Sequence, residues 1–198
     1  MLLRPEFTTT DIDALTSEPF LTKLSPTWRM TLLSDGSVTR HLAALGRAER
    51  TRVEVLWQGP DDDDDTCAYE RLRDVETMIK TPVIRREVLL RAGSACGTDG
   101  EDVPAVYAAS WWNAEDARAF LPDEASSMWT NLRTRHVELH REIREVCCGR
   151  NARLEEVFGE RGPFWARHYI FWSGGAPITI VYEVFNPALR HALGECVE

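Results

Sequence analysis

Lysine is nearly missing from this chain: only Lys23 and Lys80 among its 23 basic residues are not arginines. Codon composition accounts for such a skew, so the arginine excess as a whole carries no functional meaning. Basic residues are also outnumbered by 32 acidic ones, leaving a net charge of −9. That balance excludes a general nucleic-acid binder and docking on an anionic membrane, because both need a basic face. No apolar run approaches the roughly 20 residues of a spanning helix. Met1-Leu2-Leu3-Arg4-Pro5 is too short and polar for a secretory signal. The cysteines number five, an odd count, with Cys147 and Cys148 adjacent, which excludes a disulfide framework and predicts reduced thiols in a cytoplasmic protein. CxxC, GxGxxG, P-loop and GxSxG patterns are missing too.

What is present reads as one α+β domain over residues 1–198, an antiparallel sheet with helices packed on it. A short helix is expected around Asp11–Leu15. A second, capped by Ser37, runs Val38–Leu45 and stops at Gly46. Thr51–Gln58 alternates like a strand, and residues 59–68, with the run Asp61–Asp65, read as a solvated acidic loop. Tyr69–Lys80 carries Leu72, Val75 and Ile79 on one helical face. Pro82–Arg91 and Val103–Trp112 read as a hairpin across the Gly-rich turn Ala92–Asp102, followed by a short helix from Asn113 to Leu121. The recurrence of Met128, Leu132, Leu139, Ile143 and Val146 predicts a long amphipathic helix over Asp123–Gly149. Phe164–Trp172 and Ile178–Phe185, joined through Gly174-Gly175, form a second hairpin.

Two charges stand out in these strands. Period two places Arg86 with Ile84, Val88 and Leu90 on the more apolar face of its strand, so its guanidinium needs a carboxylate from the protein or from a ligand. Glu183 is a lone carboxylate in a strand of apolar residues, and it either pairs with an arginine or works as an acid or base. Opposite buried charges on separate strands are a minimal kit for a small anionic ligand. Arg167 is either a second cation for that ligand or a solvated residue. His136 and His140 have metal-gripping i, i+4 spacing, but no HExxH pattern accompanies them and their neighbours look solvated, so no metal is expected. Trp111-Trp112 reads as packing.

With these residues in place the chain resembles the chorismate pyruvate-lyase family, especially its compact actinobacterial and plastid/cyanobacterial branch. The resemblance runs in order from about Leu24 to Pro187. It includes Leu33-Ser-Asp-Gly-Ser-Val-Thr39, Arg86-Glu-Val-Leu-Leu90, Tyr107-Ala-Ala-Ser110 and Leu121-Pro122. It closes with Ala166-Arg-His-Tyr-Ile170, Gly174-Gly-Ala-Pro-Ile178 and Glu183-Val-Phe185. It implies a six-stranded antiparallel sheet with helices on one side, and a cytoplasmic enzyme of biosynthesis. That enzyme splits chorismate into 4-hydroxybenzoate and pyruvate with neither cofactor nor metal.

On that resemblance Arg86 binds the substrate's anionic and ether oxygens, Glu183 faces the ring hydroxyl, and Val38 and Met128 line the pocket. Ser110 stands where better-studied members have an entrance arginine, Ala109 where they have a carboxylate, and Trp111-Trp112 replaces an aliphatic pair. These departures bear on which substrate fits. A member recruited to another small-molecule transformation, or a non-catalytic binder of small aromatic acids, is the alternative expectation. A small molecule is the expected partner in each case.

Overall fold

The computed structural model describes residues 1–12, 24–46, 51–61, 72–98, 102–122, 128–134, 136 and 138–195. Seven strands form one antiparallel sheet: β1 (Arg4–Thr9), β2 (Arg52–Pro60), β3 (Val83–Arg91), β4 (Pro104–Asn113), β5 (His140–Arg150), β6 (Phe164–Ser173) and β7 (Ala176–Phe185). Their order is β1-β5-β6-β7-β4-β3-β2. Two three-stranded meanders, β2-β3-β4 and β5-β6-β7, therefore meet along the β4–β7 pairing, and β1 adds to the outer edge of β5.

The sheet has seven strands rather than the six expected. β1 carries little alternation, and only Phe7 anchors it, edge-to-face on Trp165 with ring centroids 6.3 Å apart. Such an edge strand gives almost no hydrophobic signal. The long helix expected over 123–149 is instead a short helix α5 (Met128–Thr134), a turn in which His136 takes φ 53°, and strand β5. A bulge between Ile143 and Glu145 explains the misleading period. It lets Ile143 and Val146 face the same side of the sheet, opposite Tyr169 and Arg167, so two strand residues recur at a helical three-residue step. His136 and His140 consequently share no helix face. The helix expected at Asp11–Leu15 lies largely outside the described residues, as does most of the acidic loop. Gly59 and Pro60 belong to β2, and Asp61 lies against Arg85 at 3.4 Å.

Helices cover both faces, not one. On the first lie α1 (Pro26–Leu33), α2 (Val38–Leu45), α4 (Ala114–Phe120), α5 and α7 (Arg190–Leu193). There Trp28, Leu32, Val38 and Leu42 pack on Leu90, Val106, Val146 and Phe185. On the second, α3 (Arg73–Met78) and α6 (Ala152–Phe158) bury Val75, Leu154 and Phe158 against Leu89, Tyr107, Ile180 and Val184. The central strands therefore read as nearly continuous apolar runs, with both tryptophans of Trp111-Trp112 inside. The second face is also where Arg85 and Glu87 are buried, paired at 3.3 Å. No helix among the described residues is long and apolar enough to cross a membrane.

Candidate functional site

Register places the first face's charges. In one row across the sheet Arg86 lies opposite Ser110, Ser110 opposite Val181, and Val181 opposite Tyr169. In the next row Val88, Ala108, Glu183 and Arg167 follow one another. Arg86 and Glu183 are thus two strands and two residues apart, about 12 Å between Cα atoms from standard sheet spacings. Both side chains line one cleft. Its walls are apolar, with Val38, Val88, Leu90, Met128, Leu132 and Val181 contributing. Four of the polar groups that break this surface are Arg86, Ser110, Arg141 and Glu183.

Five of the six residues singled out in the sequence come together here: Arg86, Glu183, Val38, Met128 and Ser110. The sixth, Arg167, is not in the lining and is not solvated either. It is fully buried behind Glu183, its Nε donating to Glu183 Oε2 at 2.8 Å. Its Nη1 donates to the carbonyls of Thr31, Leu32 and Ser34, each at 2.9 Å. Those carbonyls end helix α1 and have no intrahelical partners, so Arg167 caps the helix while holding the carboxylate. Glu183 Oε1 accepts from the Tyr169 hydroxyl at 3.0 Å. Burial, then the charge of Glu183, pushes the Tyr169 phenol well above its usual range, which keeps this hydroxyl a donor. Glu183 is therefore locked in orientation, and each of its oxygens still has a lone pair to offer a ligand.

Ser110 Oγ accepts from Trp112 Nε1 at 3.0 Å, which fixes this hydroxyl at the cleft wall. Over the cleft runs the turn Ser34–Ser37, tied down from below by arginines. Arg141 Nη1 donates to Ser34 O at 3.1 Å and to Gly36 O. A Cβ on Gly36 would meet His41 Nε2 at 2.5 Å, so a side chain there would have to push the imidazole aside. His41 in turn lies 3.3 Å from Ser34 Oγ.

Arg141 is the site residue that sequence reasoning missed. The residues around it looked like the solvated face of a helix, yet Arg141 is buried, its guanidinium 4.2 Å from the Tyr169 ring centroid. Reading Leu139, Arg141 and Ile143 at period two would have placed it on an apolar stripe, as it did Arg86. No three His, Cys, Asp or Glu side chains among the described residues are grouped to hold a metal ion.

Known proteins agree with this architecture. PhnF from Mycobacterium smegmatis superposes with a TM-score of 0.53 at 15% identity, covering 78% of this chain and 65% of that one. Gene product SA0254 of Staphylococcus aureus gives 0.51 at 14% identity, over 72% and 87% of the two chains. At these identities the likeness is one of fold, and the chain spans just under two thirds of PhnF. In sequence it is 31% identical to the uncharacterized protein ycf21 of Cyanophora paradoxa, covering 82% of this chain and 78% of that protein. The ycf21 protein of Porphyra purpurea is 29% identical, over 83% of each chain. Residues 32–193 match the family described as chorismate pyruvate-lyase Rv2949c-like, a span that takes in every residue of the cleft. The chain belongs to the Rv2949c-like chorismate pyruvate-lyase family.

Proposed function

We propose that the protein is a chorismate lyase of the family's compact branch, releasing 4-hydroxybenzoate and pyruvate by cofactor-free elimination in a cytoplasmic biosynthetic route. The observation that carries this reading is the cleft itself. A cation, Arg86, and an oriented carboxylate, Glu183, come from separate meanders and line one largely apolar cleft.

The chemistry asks little of the protein. The C–O bond to the enolpyruvyl group breaks and the ring proton at the hydroxyl-bearing carbon leaves. The ring then becomes aromatic, and the departing enolpyruvate takes up a proton and becomes pyruvate. Arg86 holds the anionic end and stabilises the charge growing on the ether oxygen. Glu183 accepts from the ring hydroxyl or takes the ring proton. Val38 and Met128 press on the ring, and Ser110 offers a hydroxyl at the wall. Arg167 acts through Glu183 as a positioning residue.

Purified protein and chorismate, with no metal added, should give pyruvate and 4-hydroxybenzoate in equal amounts, and R86Q and E183Q should each lose most of that turnover. Turnover undiminished in E183Q would remove Glu183 from the mechanism. The engagement of both Glu183 oxygens by protein donors favours a second reading, a binder of small aromatic acids without turnover. Tight binding of 4-hydroxybenzoate without pyruvate release would select it.

A further inference from the structure

We propose that Trp112 is a positioning residue of the cleft: its indole N–H occupies an acceptor site of Ser110 and so turns the serine hydroxyl into a donor for the ligand carboxylate held by Arg86. The inference rests on the chorismate reading and deepens it, assigning a role to a residue that is not in the cleft lining. Ser110 lines the cleft, and Arg86 is its direct cross-strand partner on β3. Cα atoms of such a pair lie about 4.5–5.5 Å apart, so one ligand group can meet both side chains.

The polarity of the Ser110–Trp112 contact is unambiguous. An indole nitrogen only donates, so Ser110 Oγ is the acceptor in the 3.0 Å bond between them. A serine hydroxyl has one proton and two lone pairs, and this bond takes a lone pair. The proton remains, and among the described residues Ser110 donates it to no protein acceptor. The bond directs that proton away from the indole, and the space Ser110 borders is the cleft. Trp112 can serve as the anchor because packing fixes it. It shares a face of β4 with Ser110, is wholly buried, and packs with Ala117, Phe120, Leu121 and the cleft residue Met128. A hydroxyl held from behind loses little orientational freedom when a ligand arrives. A carboxylate is the acceptor that gains most from it, since charge-assisted bonds are the stronger kind.

Calorimetric titration with 4-hydroxybenzoate tests this in a two-by-two cycle of variants. S110A removes the donor. Trp112→3-benzothienylalanine, introduced by nonsense suppression, removes the indole N–H while keeping the shape of the ring. S110A should weaken binding roughly 10-fold, the low end for one hydrogen bond to a charged group. The Trp112 isostere should weaken it about threefold, through the loosened hydroxyl. The two together should bind no more weakly than S110A alone, because the indole acts only through Ser110. A purely structural bond would lower the melting temperature of these variants and leave the affinity where it was. No loss in S110A, no loss in the isostere, or losses that multiply would each overturn the inference and leave the chorismate reading standing. Wild-type protein that binds no 4-hydroxybenzoate would overturn it as well, and the chorismate reading falls too only if chorismate yields no pyruvate.

Discussion

Arg167 and Glu183 face each other on adjacent strands β6 and β7, and the arginine's Nε meets the glutamate's Oε2 at 2.8 Å with the cation wholly excluded from water. The ion pair is a consequence of register, since the two residues are cross-strand partners. It converts a buried carboxylate from a liability into a fixed acceptor at the cleft wall. The same guanidinium ends helix α1, so one side chain sets both the floor and the roof of the site.

Breaking that pair from either end should be severe. R167M leaves Glu183 and three carbonyls without their donor, and a loss of about 3–5 kcal/mol is expected. The double variant R167M/E183L removes both charges and should recover part of it. Urea denaturation of the four proteins in the cycle checks this, and strictly additive losses would contradict the coupling.

Acid should weaken the protein through His41. Burial first, then the positive charges of Arg167 and Arg141, lower its pKa below the ordinary 6.5. The unfolded chain therefore takes up a proton near 6.5 while the folded one resists. His41 contributes stability above that pH and loses it as the pH falls towards the folded value. Melting temperatures at pH 7.5 and 5.5 should differ more in the wild type than in H41Q. An identical pH response in the two would count against the assignment.

Two thiols should be inert in the native state. Burial, with Glu160 nearby, pushes Cys96 up to about 12, and burial with Glu145 does the same to Cys147. Iodoacetamide at pH 8, read by peptide mass spectrometry, should leave both unmodified without denaturant and alkylate both in urea. Ready native labelling of Cys147 would show that β5 opens locally.

The β6–β7 hairpin turns on Gly174 and Gly175, at φ 57° and 79°, the two positive values of a type I′ turn. Neither has a neighbour within 4 Å of where a Cβ would sit, so only backbone strain opposes substitution. G174N should be tolerated, since asparagine accepts this conformation. G175V should cost about 1–2 kcal/mol by thermal denaturation.

Much of this was legible in the sequence because β-branched and aromatic runs between Gly- and Pro-containing turns mark strands even where both faces are buried. The five strands read from the sequence lie where expected, and period two along β3 placed Arg86 on the cleft face. Glu183 stood out as a lone charge in an apolar strand. The failures have local causes. The β5 bulge imitates a helical step, and the β1 edge has one anchoring side chain. Covering of the second face depends on α3 and α6, whose short amphipathic stretches do not say which side they dock on. Arg167 illustrates a further limit: whether a strand arginine meets ligand or protein is decided by cross-strand register, which no single strand contains.

Each meander holds only part of the cleft's polar lining. Arg86 and Ser110 belong to one, and Arg141, Tyr169 and Glu183 to the other. On the proposed function, binding competence depends on the long-range pairing of β4 with β7, and a molecule bridging Arg86 and Glu183 would be a non-covalent cross-link between halves of the polypeptide. Occupancy should raise the unfolding temperature of the whole sheet with the logarithm of ligand concentration over its dissociation constant, while either half expressed alone should be blind to the ligand.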